Sequence, residues 1–290
     1  MKDKRYWIWL SRIEGLGCVR KNKLLKMYKT PEEIWKLSYE DIIRIDGFGE
    51  KIAKSILDCK YRKDLDKYIE FMKQNNIHII TIYDEEYPNK LKNIYDSPVT
   101  LYVKGNKDIL NSNSIAIVGC RNCSNYGKEV SMKFAYDLAK ENITIISGMA
   151  KGIDSNAHMG CLYAKGKTIA VLGSGLDRIY PKENIRLYNE IISNSGAIVS
   201  EYVIGTIATR MNFPARNRII SGLSDGVIVV EAKEKSGTLI TVDFALEQGK
   251  DIFVVPGNIT SHNSVGTNEL IKQGAKCVTS VKDILEEYSL

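Results

Sequence analysis

The sequence predicts an α/β protein: a doubly wound, mostly parallel sheet preceded by a small all-α domain. Three observations carry this. From Ser114 onward, short apolar runs that do not alternate with polar residues recur between helical stretches, as strands covered on both faces by helices do. Glycines and small hydroxyl residues follow those runs again and again, which places them together at one edge of a sheet. Residues 1–70, in contrast, carry only helical patterns, interrupted by two related glycine turns.

A chain of 290 residues fits about two domains on the usual size prior. Its 44% hydrophobic and 26% charged content excludes a disordered or membrane-embedded chain. No apolar run approaches the roughly 18 residues of a spanning helix, and the apolar patch of MKDKRYWIWL is too short for a signal peptide. A cytoplasmic protein without membrane contact is expected, and six scattered cysteines suit that reducing compartment. Of the net charge of +6, residues 1–70 hold most, with 17 Lys and Arg against 12 Asp and Glu. That bias points weakly to nucleic acid or another acidic partner, against the alternative of a solvated lysine-rich surface.

Within residues 1–70, Ile13-Glu14-Gly15-Leu16-Gly17 returns 32 residues later as Ile45-Asp46-Gly47-Phe48-Gly49, each copy lying between helical stretches. Thr30-Pro31-Glu32-Glu33 opens the helix between them, with proline at its first position. A Gly-hydrophobic-Gly turn between short helices resembles the helix-hairpin-helix (SAM-like) family, whose turn glycines point backbone N–H groups at phosphate. Such hairpins can equally just build a helical domain. From 71 onward the pattern changes: Ile77–Ile82 and Thr100–Val103 read as strands, and 71–113 as an extension packed on the main sheet.

The core strands are then expected at Ile115–Val118, Thr144–Ser147, Lys167–Leu172, Ala197–Ser200, Gly226–Val230 and Asp251–Val255. Intervening helices fall at roughly 127–141, 184–193, 216–223 and 238–248, which makes the sheet Rossmann-like and extended. Ligands bind such sheets at the carboxyl ends of their strands. There the first turn, Gly119 to Gly127, carries Arg121 and Ser124 ahead of a helix whose positive end points back at it. A second element is Arg210-Met211-Asn212-Phe213-Pro214-Ala215-Arg216-Asn217-Arg218, in which arginine forks suit phosphates and Phe213 offers a stacking face.

Other motifs fail on their own chemistry. Gly173-Ser174-Gly175-Leu176-Asp177-Arg178 lacks the third glycine of a dinucleotide site, and Gly166-Lys167-Thr168 precedes a strand instead of following one, as a P-loop must. Cys120-Arg121-Asn122-Cys123 has redox spacing but no second pair for zinc. His78, His158 and His262 have no metal spacing, while His158 lies one helical turn beyond Asp154 and suggests a structural pair. With no catalytic set visible, no metal and no cofactor are expected, and binding is favoured over catalysis.

The motifs GCRNCSNYG (119–127), SGMAKGIDSNAH (147–158), VLGSGLDRIYPKEN (171–184), NFPARNRIISGLS (212–224) and VVEAKEKSGTLIT (229–241), in this order, resemble the DNA-processing protein A (DprA/Smf) family. The resemblance implies a mediator, not an enzyme. Such a protein binds single-stranded DNA, acts as a homodimer, protects incoming DNA and loads the RecA recombinase in natural transformation. By motif it also implies DNA contacts at Arg121, Ser124, Ser147, Gly148, Lys182, Arg210, Phe213, Arg216, Asn217, Arg218, Ser236, Gly237 and Thr238. Cys120 stands where serine is usual, and no C-terminal winged helix is expected after Leu290. Two rivals use the same pocket. One is a small-nucleotide sensor; the other is a phosphoribohydrolase, for which Lys235-Ser236-Gly237-Thr238 keeps only the Gly-Thr and Thr241 replaces the catalytic glutamate.

Overall fold

A computed structural model describes residues 3–288. The N-terminal region is helical: α1 (Lys4–Arg12), α2 (Cys18–Tyr28), α3 (Pro31–Trp35), α4 (Tyr39–Ile43), α5 (Glu50–Leu57) and α6 (Leu65–Gln74). Gly15 and Gly47 take the positive φ that the two turns require, and Leu16 and Phe48, set between the glycines, are buried. The Thr30 hydroxyl caps α3 with Pro31 behind it, as the sequence predicts. The expected boundary at 70 falls inside α6, and the change of character comes at β1 (Ile77–Thr81).

After β1 come α7 (Asn89–Lys92), β2 (Thr100–Gly105), β3 (Ser114–Val118), α8 (Asn125–Lys140), β4 (Thr144–Ser147), α9 (Ile153–Tyr163) and β5 (Thr168–Val171). The chain continues through α10 (Ile185–Ser193), β6 (Ala197–Ser200), α11 (Asn212–Leu223), β7 (Gly226–Val229), α12 (Gly237–Glu247), β8 (Asp251–Val254), α13 (Val265–Lys272), β9 (Lys276–Cys277) and α14 (Lys282–Tyr288). They form one nine-stranded sheet in the order β1-β2-β6-β5-β4-β3-β7-β8-β9, with β2 antiparallel to both β1 and β6 and every other pair parallel. Residues 77–105 thus continue the main sheet as an antiparallel edge.

Alternation along β3 explains the two layers. Ile115 and Ile117 join Phe134 and Leu138 of α8 and Ala157 of α9 in one apolar cluster, whereas Ala116 and Val118 join Ile219, Ile220 and Leu223 of α11 in the other. Each of the buried Ile, Val, Leu and Phe side chains among them contributes about 1.5–3 kcal/mol. The second cluster also takes in Trp7, Trp9 and Leu24 of the N-terminal helices, so these pack on the core. Polar ties add to it: the Ser11 and Tyr102 hydroxyls meet at 2.6 Å, and Asn22 Nδ2 donates to the Ser97 carbonyl at 2.8 Å.

The strand order reverses at β3: β4, β5 and β6 step away on one side, β7 and β8 on the other. The loops after β3 and β7 therefore diverge into opposite helical layers and leave a crevice between them. One element differs from expectation. Helix α11 starts at Asn212 rather than near Arg216, because Pro214 sits in the first turn, where its missing N–H breaks no helical bond. Among the described residues no helix is long and apolar enough to cross a membrane.

Candidate nucleic-acid interface

A cavity of about 680 Å³ occupies that crevice. Its floor comes from α11, where Phe213, Arg216, Asn217 and Ile220 recur at the three- and four-residue spacing of a single helix face. Its other walls are the turn after β3, with Arg121, and the loop after β7 with Ser236, Gly237 and Thr238 at the start of α12. Gly119 lets these loops approach: a Cβ there would lie 2.6 Å from Ile153 Cγ1.

An aromatic platform crosses the mouth. The guanidinium carbon of Arg121 lies 5.0 Å from the Phe213 ring centroid, and the Tyr180 ring, half exposed, is 5.4 Å from that of Phe213. Arg121, Arg210, Lys233 and Lys235 line the cavity and are exposed, and among the described residues none has an ion-pair partner. Four cations without an ion-pair partner around a π-face suit a polyanion carrying flat bases.

Deeper in, Arg216 is 4% exposed. Its Nη1 donates to the Gly148 carbonyl at 2.5 Å and to that of Val171. Burial pulls its pKa down to about 10, opposed by the Asp154 carboxylate, while burial pushes Asp154 upward against the pull of Arg216. Arg216 Nε finds no partner among the described residues. A buried donor left unmade costs about 1–3 kcal/mol.

Of the thirteen residues singled out by sequence, the fold brings together Arg121, Arg210, Phe213, Arg216, Asn217, Ser236, Gly237 and Thr238. Five go elsewhere. The Ser124 hydroxyl accepts from Gly127 N–H at 3.0 Å and donates to Glu231 Oε1 at 2.5 Å, and the Ser124 N–H donates to Oε2 at 3.0 Å. The start of α8, expected to hold an anion, is thus already occupied by the chain's own carboxylate. Ser147 is buried and donates to the Ile117 carbonyl at 2.7 Å. Gly148 is buried beneath the site, where its lack of a side chain matters: a Cβ would come within 2.6 Å of both Arg216 Nη1 and Asp154 Oδ2. Lys182 is exposed two residues beyond Tyr180, outside the cavity lining.

Arg218 is the clearest correction. It is 4% exposed and turned toward the N-terminal helices, with Nε 2.9 Å from Asp96 Oδ2 and Nη2 2.6 Å from Glu201 Oε2 and 3.3 Å from Cys18 Sγ. Burial opposes its charge, but these carboxylates outweigh it and hold the pKa above the usual range. Burial and the nearby Glu201 push the Cys18 thiol up to about 12. The pairing expected between Asp154 and His158 is also absent. Thr168 Oγ1 donates to the Ile145 carbonyl and so accepts from His158 Nδ1 at 2.7 Å, while Asp154 accepts from Ala150 N–H at 3.3 Å. Burial raises both thiols of the Cys120–Cys123 motif, the reverse of a reactive pair.

Sequence reasoning missed Asp154, Asn122, Tyr180, Lys233 and Lys235 as lining residues. A signal existed for the lysines, which flank the loop after β7; none marked Asp154, whose role depends on Arg216, 62 residues on.

The sequence profile of the DNA recombination-mediator protein A family matches residues 78–289. The chain is 42% identical to the DNA processing protein DprA of Streptococcus pneumoniae, with 99% of each chain aligned. It is 44% identical to protein Smf of Escherichia coli, over 99% of this chain and 75% of that one. A crystal structure of the Streptococcus pneumoniae DNA processing protein A superposes with a TM-score of 0.85 at 41% identity, covering 99% of both chains. A structure reported for the single-stranded DNA binding mode of DNA processing protein A from Helicobacter pylori superposes at 0.66 and 32% identity, over 73% of this chain and 95% of that one.

Proposed function

The chain belongs to the DNA recombination-mediator protein A family, known also as DprA or Smf, and from that membership and the cavity at the sheet edge we propose that it binds single-stranded DNA there and passes it to the RecA recombinase. The observation that carries the reading is the Arg121–Phe213–Tyr180 platform set among cations without ion-pair partners, above the buried Arg216. Bases stack on the rings while phosphates meet Arg121, Arg210 and the lysines, which gives affinity with little dependence on base sequence. Asn217, Ser236, Gly237 and Thr238 complete the wall as polar contacts, and Lys182 serves as an outer phosphate contact. The protein works as a homodimer in the cytoplasm, as a mediator and not an enzyme, protecting DNA taken up in natural transformation.

The test is binding of labelled oligo-dT and its duplex at two salt concentrations, wild type beside Arg121→Ala. We expect preference for the single strand, a steep fall with salt, and a shallower slope in the variant. Tight binding of one mononucleotide with none of the oligonucleotide would instead select the nucleotide-sensor reading.

A further inference from the structure

Tyr180, one edge of the aromatic platform, makes no hydrogen bond among the described residues. Residues 179–181 belong to no strand or helix and run into the short helical turn Lys182–Asn184. Ile179 packs on the larger apolar cluster and Pro181 is buried, so Tyr180 is the one of the three that faces out. The place of its ring then depends on where the segment is tied at either end. Upstream, Ser174 Oγ donates to the Arg178 carbonyl at 2.7 Å. Downstream, Asn184 Nδ2 donates to the Met149 carbonyl at 2.8 Å and to that of Ala150 at 3.4 Å, while Asn184 N–H closes the turn on the Pro181 carbonyl at 3.1 Å.

The acceptors of that amide belong to the groove wall. Met149 is buried with a φ of 60°, the left-handed region, which a side chain of this size keeps only where its surroundings hold it. Among the described residues its carbonyl takes a hydrogen bond from Asn184 alone. The next residue, Ala150, lines the cavity, and its N–H donates at 3.3 Å to Asp154 Oδ2, beside Arg216. Asn184 therefore joins the loop after β5, which carries Tyr180, to the loop after β4, which helps to wall the groove. A second tie between the same loops, Lys151 Nζ to Glu183 Oε1 at 2.6 Å, has side chains 55% and 65% exposed. An ion pair that wet contributes little.

We propose that Asn184 is a positioning residue: its side-chain amide, bonded to the Met149 and Ala150 carbonyls, holds the Tyr180 ring against Phe213 so that the two rings receive a base together. This rests on the single-stranded DNA reading above. Asn184 lies outside the cavity lining and acts through Tyr180. Because Tyr180 meets bases and not phosphates, losing the anchor weakens binding without changing its salt dependence.

The experiment is a double-mutant cycle of Asn184→Ala and Tyr180→Ala, read as affinity for oligo-dT and for an abasic oligonucleotide of equal length across a salt series. Thermal unfolding sets a temperature at which every variant is folded, and Asn184→Asp, which keeps the shape and loses the donor, takes the place of Asn184→Ala should that variant not fold. The expected result for Asn184→Ala is a loss of roughly three- to tenfold on oligo-dT, an unchanged salt slope, no loss on the abasic strand and no further loss once Tyr180 is alanine. Glu183→Gln, which breaks only the exposed ion pair, is expected to bind as wild type does. Unchanged oligo-dT affinity in Asn184→Ala overturns the proposal, as does a loss that persists in full beside Tyr180→Ala, a loss equal on both oligonucleotides, or an equal loss in Glu183→Gln. Failure of wild type to bind any single strand defeats the underlying reading; binding that Arg121→Ala weakens and Asn184→Ala leaves intact defeats only this one.

Discussion

Arg216 and Arg218 lie two positions apart on α11 and do opposite things. A step of two residues on an α-helix turns the side chain by about 200°, so Arg216 enters the groove while Arg218 turns away to Asp96, Glu201 and the Cys18 thiol of α2. A string of arginines reads as one basic patch until its helical phase is known. Arg218→Ala is expected to leave Glu201 and Asp96 without their cation and to cost about 3–5 kcal/mol in urea unfolding. Its affinity for oligo-dT, measured well below the unfolding midpoint, is expected to stay near wild type. An affinity loss with intact stability would return Arg218 to the DNA surface.

At the scale of an element, the start of α8 shows how an expected anion site is consumed by the fold. The Gly119–Gly127 turn has the residues of a phosphate cradle, yet Glu231, brought in at the end of β7, accepts from the Ser124 N–H and hydroxyl and from Asn263 Nδ2 at 3.3 Å. A carboxylate at a helix N-terminus is favourable, and here it fastens β7 to α8. Ser124→Ala removes both the cap and one charge-assisted bond, so a loss of about 1–2 kcal/mol in unfolding free energy is expected, with DNA binding retained. Reduced binding without reduced stability would show that the turn meets the ligand directly. The Gly-x-Gly turns of residues 15–17 and 47–49 were legible because each needs only local geometry; the fate of the α8 terminus was not, since Glu231 lies 107 residues away.

For the whole molecule, the buried His158 sets a pH dependence. Burial pushes its pKa down to about 3, against an ordinary value of 6.5. Between those values the unfolded chain binds a proton that the folded chain refuses, so stability falls as pH drops, by about 1.4 kcal/mol per unit. Urea unfolding from pH 7 to 4, wild type against His158→Gln, should give a shallower decline in the variant across pH 6.5 to 4. Parallel curves would place the acid sensitivity on other groups.

The sequence by itself determined the alternating α/β order, the doubly wound sheet, the family and most of the groove: Arg121 and the Ser236–Thr238 turn follow from motifs at strand ends, Phe213 and Arg216 from the basic stretch 210–218. These are legible because buried-strand composition and glycine turns are local properties of the chain. Only the tertiary structure decided that Glu231 occupies the start of α8, that Asp154 sits beside Arg216, that Arg218 clasps Asp96 and Glu201 and that Ile207 and Met211 stand in the open. Each of those depends on helical phase or on which distant charge arrives first, and neither is set until the chain has packed.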